Sequence, residues 1–227
     1  MFSQLVTSAH ALGVATVLAI QNPNKGDAVA AVAELTAGPA LRGIRTIMMA
    51  DVEGRRILKN RPVVTDDLLT RALTLPPGTF GYAYAQYMSK NAFLPSGRPP
   101  VVHITDPTLR YVMQRFRETH DFIHAATGCS RSVEHEVALK MFEWYHTGLP
   151  IGVLAIVGGT PHLSRETFAS VITTHRAWAF GNRPTARHGD RQVVNYMTVP
   201  WEQLLELPHE HVLALTGYTP FPHAAAS

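Results

Sequence analysis

Apolar residues along this chain recur mostly three or four positions apart, the spacing of amphipathic helices rather than of half-buried strands. On that ground AVAAVAEL (28–35) and LRGIRTIMM (41–49) read as short helices. TDDLLTRAL (65–73) adds a start signal. Thr65 is a good N-cap, and Asp66 and Asp67 follow where negative charge meets unpaired backbone N–H groups. Proline and glycine punctuate the remainder. NPNKGD (22–27), AGP (37–39), PPGTFG (76–81), LPSGRPP (94–100), GLP (148–150), GGTP (158–161) and GNRPTARHGD (181–190) predict turns or loops. Strand-like pieces are short, such as PVVHI at 100–104, and no internal repeat is visible. The expectation is an all-α fold with extended connectors.

The clearest helix is TDPTLRYVMQRFRETHDFIHAATG (105–128). Asp106 can cap it, Pro107 suits its first position, and Gly128 can end it. Leu109, Val112, Met113, Phe116 and Ile123 form one apolar stripe, with His120 and His124 along its edge and Arg110, Arg117 and Asp121 on the flank. A second helix runs through SVEHEVALKMFEWYHTG (132–148), with Ser132 as N-cap and Glu134 and Glu136 in its first turn. The short ATGCSRS connection predicts an antiparallel helical hairpin. His124 and Glu136 then face each other across the turn.

Composition supports a globular chain. Of 227 residues 46% are hydrophobic and 16% charged, enough apolar material for a core. The net charge of +3 is spread out with no basic run, so nucleic acid is not the expected partner. An anionic lipid or small substrate fits the bias as well. The single cysteine, Cys129, excludes an internal disulfide framework and a cysteine-rich zinc module. Its glycine and serine neighbours make it a small loop residue. Neither ALGVATVLAI (11–20) nor LPIGVLAIVGG (149–159) approaches the roughly 20 apolar residues needed to span a bilayer. The first lacks a basic lead-in and makes a poor signal peptide.

Two histidines four apart project from one helix face, where their imidazoles can share an ion. Asp121 is close enough to ligate or to orient an imidazole, and Glu136 from the facing helix completes an N,N,O,O set. Such a set suits zinc, iron, cobalt or manganese and does not choose among them. The bland alternative is ordinary helix polarity: Asp121 paired with Arg117 four residues earlier, Glu136 with Lys140 four residues later. Against it stands the desolvation cost of two polar rings on the boundary of an apolar stripe. The zinc-peptidase pattern H-E-x-x-H is not met, because Asp121 holds the glutamate position.

With these residues in place, the chain resembles the fourth of the ubiquinone (coenzyme Q) biosynthesis proteins, whose motif is H-D-x-x-H, eleven residues, then glutamate. His120, Asp121, His124 and Glu136 match it. So do RYVMQRFRETHD and ALKMFEWYHTGLP around it, and NPNKGDAVAAVAELTAG, DVEGRRILKNRPVV and NYMTVPWEQLL further out. His135 stands where a small residue is common in the family. The resemblance implies one all-helical domain over residues 1–227, less defined after about 205, that forms a homodimer. It also implies a peripheral protein on the matrix face of the mitochondrial inner membrane, beside other ubiquinone-pathway proteins. The implied activity is a lyase reaction: decarboxylation at C1 of a polyprenylated 4-hydroxy-3-methoxybenzoate, dependent on a divalent metal, expected to be zinc. In an oxidative form of that reaction a hydroxyl replaces the carboxylate.

For such chemistry His120, Asp121, His124 and Glu136 are the expected ligands, and Arg110 or Arg117 the contacts for a substrate carboxylate. A proton must reach the ring carbon, with His135, His146 and Glu143 as candidates by proximity. LPIGVLAIVGG is a groove for the polyprenyl tail, or else a core helix or dimer seam. Two other classes stay open: a scaffold holding a structural ion, and a phosphoester hydrolase drawing further ligands from HEHV (209–212) or HGD (188–190), which read as loop or surface.

Overall fold

The computed structural model describes residues 26–160 and 163–222, with side chains from Ala31 onward except those of 157–159. The early apolar run ALGVATVLAI and the start of the NPNKGD turn lie outside the described residues, as does part of GGTP.

The fold is all-α, as the periodicity predicts. Its helices are α1 (Gly26–Thr36), α2 (Gly38–Ala50), α3 (Val52–Asn60), α4 (Asp66–Leu73), α5 (Phe80–Lys90), α6 (Pro107–Thr127), α7 (Val133–Thr147), α8 (Pro150–Gly159), α9 (Arg165–Ser170), α10 (Arg176–Gly181) and α11 (His209–Thr216). A π-helical turn, Val171–His175, joins α9 to α10, and short 3-10 turns occur at Pro95–Gly97, Tyr196–Thr198 and Trp201–Gln203. The PVVHI segment is not a strand. The two-stranded hairpin, β1 (Arg187–His188) with β2 (Arg191–Gln192), begins instead in the predicted loop GNRPTARHGD and runs just past it. Gly189 makes its turn at φ 63°, a conformation other residues rarely adopt.

Helix α6 runs through the middle, packed against α2, α5 and α11, and 15 of its 21 residues are buried. Its ends are those the sequence signals. Asp106 accepts from the N–H groups of Thr108 and Leu109, Pro107 sits at the first position, and Gly128 closes the helix at φ 73°. Thr65 likewise caps α4 by accepting from the Leu68 N–H. At Ser132 the position is right but the side chain makes no capping bond.

The core has two aromatic knots. Phe80, Phe122 and Trp201 have ring centroids 5.5–5.9 Å apart, and Phe142 sits among His146, Trp178, Tyr196 and Tyr218. Arg115, fully buried on α6, donates to Glu202 at 2.7 Å and to the Val199 carbonyl at 2.7 Å. A buried guanidinium must be paired to avoid a large desolvation cost. This pairing therefore fastens the NYMTVPWEQLL segment to the helix that carries the histidines. Helix α8 packs against α7 and α1, with Leu149 and Ile151 buried and Val153 and Leu154 exposed. Gly152 lets it approach closely: a Cβ there would meet Trp144 Cβ at 3.0 Å and the Lys140 carbonyl at 3.1 Å.

Candidate metal centre

Helices α6 and α7 form the predicted hairpin, and its turn brings three side chains together. His120 Nε2 and His124 Nε2 are 3.1 Å apart. Glu136 Oε1 lies 3.3 Å from His124 Nε2, and its Oε2 lies 3.7 Å from His120 Nε2. Among the described residues this is the only cluster of three or more histidine, cysteine or carboxylate side chains close enough to hold a metal ion.

Hydrogen bonds on the far side of each ring decide what faces the cluster. His124 Nδ1 is 2.8 Å from the Cys129 carbonyl, which can only accept, so Nδ1 carries the proton. His120 Nδ1 is 2.8 Å from Glu143 Oε1, a carboxylate, and the same argument holds. With Nδ1 carrying the proton, the Nε2 atom of each ring in its neutral tautomer presents a lone pair to the other ring and to the Glu136 carboxylate. Three electron-rich groups converging at 3.1–3.7 Å repel unless a cation, or a shared proton, stands between them. The donor set of two imidazoles and one carboxylate fits a divalent transition metal, and three protein ligands leave a coordination position free.

The surroundings hold the ligands still. Glu143 is buried and also accepts from Lys140 Nζ at 2.7 Å. Burial pushes its carboxyl up, but the Lys140 ammonium and the His120 ring more than reverse this and bring it to about 2. Glu136 is likewise held well below the ordinary carboxylate range, burial being outweighed by the two imidazoles and then by Lys140. Burial, followed by Lys140, lowers His120 and keeps the ring neutral. Tyr87 on α5 stacks on His124 with centroids 4.7 Å apart and planes at 15°.

The other predicted residues fall as follows. Asp121 is not in the cluster: its carboxylate is buried in an ion pair with Arg98. Arg117 reaches Glu34 at 2.7 Å and the Pro99 carbonyl at 3.2 Å, while Arg110 donates to the Ile104 carbonyl. Both arginines line a cavity of about 540 Å³ together with Arg98, Glu118, Asp66 and Asp67. Lys140 pairs with Glu143, not with Glu136 as helix spacing predicts. His135 Nδ1 bonds Ser130, and its ring packs on Phe221. His146 is buried with both ring nitrogens engaged, Nε2 donating to the Asn182 carbonyl and Nδ1 accepting from the Tyr196 N–H. HEHV is not loop: it opens α11, where His209 donates to the Ala126 carbonyl, and HGD is the exposed hairpin turn. Neither contributes to the cluster.

Two contributors, Tyr87 and Arg98, escaped the pattern argument, and Glu143, named there as a proton-donor candidate, instead orients His120. Glu143 was readable, since Glu136, Lys140 and Glu143 fall on one face of α7 at i, i+4 and i+7. Tyr87 and Arg98 come from segments 37 and 23 residues away from the side chains they touch, His124 and Asp121, and nothing local marks them.

The model of the family "Coenzyme Q (ubiquinone) biosynthesis protein Coq4" matches residues 3–222. The chain belongs to the Coq4 family. Within it, a mitochondrial ubiquinone biosynthesis protein COQ4 homolog of Trypanosoma cruzi is 50% identical over 214 residues, covering 94% of this chain and 84% of its own length. The mitochondrial homolog from Leishmania infantum is 51% identical over 179 residues, 79% of this chain and 95% of its own. The mitochondrial COQ4 protein of Coprinopsis cinerea is 39% identical over 194 residues, 85% and 64%. A crystal structure of a Nostoc punctiforme protein assigned to ubiquinone biosynthesis superposes with a TM-score of 0.69, covering 92% of this chain and 97% of that one. At 20% identity that likeness speaks for the fold alone.

Proposed function

We propose that this chain works in ubiquinone biosynthesis in the mitochondrion and removes the C1 carboxylate from a polyprenylated 4-hydroxy-3-methoxybenzoate in a metal-dependent lyase reaction. The reading is supported by membership of the Coq4 family and by relatives named mitochondrial. One observation carries the chemistry: two imidazole nitrogens and one carboxylate converge within 3.1–3.7 Å, a donor set that one divalent ion can share. His120, His124 and Glu136 would hold the ion, zinc being the expected one. Asp121, joined to Arg98, would fix the helix turn between the two histidines. A bound divalent metal supplies Lewis acidity toward a ring oxygen or carboxylate.

The chain's own groups do the rest. Glu143 and the Cys129 carbonyl orient the two rings, and the Tyr87 ring covers one face of His124. Glu143 is ionised at neutral pH and has no proton to give, and neither nitrogen of buried His146 is free. That leaves His135, solvent or the substrate itself as the source of the proton for the ring carbon. Three ligands rather than four favour catalysis over a purely structural ion, the scaffold alternative.

A single domain, homodimerisation, and contact with other ubiquinone-pathway proteins belong to the same proposal. So does peripheral attachment to the matrix face of the inner membrane. Among the described residues no helix is long and apolar enough to cross a membrane. The deciding assay incubates purified, metal-loaded protein with a short-chain prenylated 4-hydroxy-3-methoxybenzoate under nitrogen and under air, following carbon dioxide and ring products by mass spectrometry. Turnover that His124→Ala abolishes is the expected result. Full metal occupancy with no turnover in either atmosphere would overturn it in favour of a scaffold.

A further inference from the structure

Beside the metal centre, a cleft of about 290 Å³ opens between α5 and the α6–α7 turn. Its walls include His124, so whatever fills it touches a ligand of the proposed ion. Lys90 and Arg131 also line it, and among its described lining residues there is no carboxylate. The larger cavity near Arg110 differs in this respect. There three arginines face two aspartates and a glutamate, and each of the arginines already holds a protein oxygen. Of these two cavities, the smaller is the one whose cationic lining faces no lining carboxylate.

Two side chains of that cleft have unspent capacity. Arg131 lies with its guanidinium 4.6 Å over the Phe93 ring. Its Nε is 4.0 Å from Glu136 Oε1, at the outer edge of ion-pair range, and half of its side chain is exposed. A guanidinium so placed keeps a planar fork of N–H groups for an incoming carboxylate. The Tyr87 hydroxyl is buried and makes no hydrogen bond within the protein, although its ring is firmly stacked on His124. A hydroxyl left so loses free energy that a bound partner would restore. A phenol carries its proton at neutral pH and can donate it to such a partner. The charged surroundings of the Tyr87 hydroxyl are Glu136, Arg131 and Arg98.

We propose that this cleft receives the carboxylate-bearing aromatic ring of the substrate, Arg131 pairing with the carboxylate and the Tyr87 hydroxyl donating to a ring oxygen. The volume suits one substituted ring and leaves a prenyl tail to run out through the mouth. The assignment rests on the decarboxylase reading for the identity of the ring, and it moves the anion contact from Arg110 and Arg117 to Arg131.

The test measures binding, not turnover. 4-Hydroxy-3-methoxybenzoate and its methyl ester are titrated into metal-loaded protein by calorimetry or NMR. The wild type is compared with Arg131→Gln, Tyr87→Phe and Arg110→Gln, and metal content is measured for each. The acid should bind about tenfold more tightly than the ester, and Arg131→Gln should erase that difference. Tyr87→Phe should weaken both ligands about three- to tenfold with metal content unchanged. Arg110→Gln should change neither. Equal binding of acid and ester to the wild type, or loss confined to Arg110→Gln, would overturn the proposal. The two readings fail separately. Binding as stated without decarboxylation of the prenylated substrate removes the enzyme and leaves the cleft. Decarboxylation with an unchanged KM in Arg131→Gln removes the cleft alone.

Discussion

Glu143 never meets the proposed metal, yet the geometry makes it a determinant of affinity. It accepts from His120 Nδ1 at 2.8 Å and from Lys140 at 2.7 Å, buried and ionised between them. Two effects can be separated by substitution. Glu143→Gln keeps an oxygen for the His120 Nδ1–H and so preserves ring orientation, but it removes the negative charge that makes Nε2 a stronger donor. Glu143→Ala removes both. Losing a partner behind a ligand histidine costs about 10–100-fold in metal affinity, or roughly 1.4–2.8 kcal/mol. The expectation is therefore graded: about tenfold for Gln and about a hundredfold for Ala. Competition against a chromophoric chelator reads the affinities. Thermal melts of metal-free protein separate a folding defect, since Lys140 loses its partner in both variants. Wild-type affinity in both variants would refute the argument, because His120 would then be oriented by something other than Glu143. Equal losses in Gln and Ala would refute the separation of charge from orientation.

Two further outcomes follow from the same contacts. Asp121→Asn should retain close to one equivalent of metal while lowering stability by about 2 kcal/mol, since Arg98 is left largely buried without its counter-charge. For a chain of this size that is roughly 4–8 °C in Tm, and metal loss as complete as in Glu136→Gln would show Asp121 to be a ligand. His146 supplies a pH dependence: burial brings its pKa from 6.5 to about 3, so its stabilisation is complete above pH 6.5 and is lost as pH falls toward 3. Denaturant unfolding should lose up to about 1.4 kcal/mol per pH unit from this ring, and an identical slope in His146→Gln would remove His146 as the source.

What the sequence made legible was local. The caps Asp106 and Thr65, the stop at Gly128, the apolar stripe of α6 and the hairpin that faces Glu136 with His124 all follow from neighbours within a few residues. Errors arose where the partner lies far along the chain. Helix spacing offers Arg117 to Asp121 and Lys140 to Glu136, but tertiary packing brings Arg98 to the first and gives Lys140 to Glu143. Arg117 instead reaches Glu34, 83 residues earlier. Local pairs on a helix are worth only a few tenths of a kcal/mol, so a buried partner displaces them easily. FGYAYAQYMSK is helical although its aromatic residues are indifferent helix formers. It is held by burial of Phe80, Tyr84 and Met88 and by Thr79, which accepts from the Tyr82 N–H. HEHV is helical for a similar reason, Val212 being fully buried and His209 anchored on α6.

The five residues between α6 and α7 act on His124 through a peptide oxygen, that of Cys129, and not through any side chain. Exchanging the thiol for another small group leaves that oxygen where it is. Inserting or deleting one residue rotates the amide away from the ring and shifts Glu136 along its helix at the same time. For the contact with His124, linker length constrains the sequence more than the side chain at position 129 does.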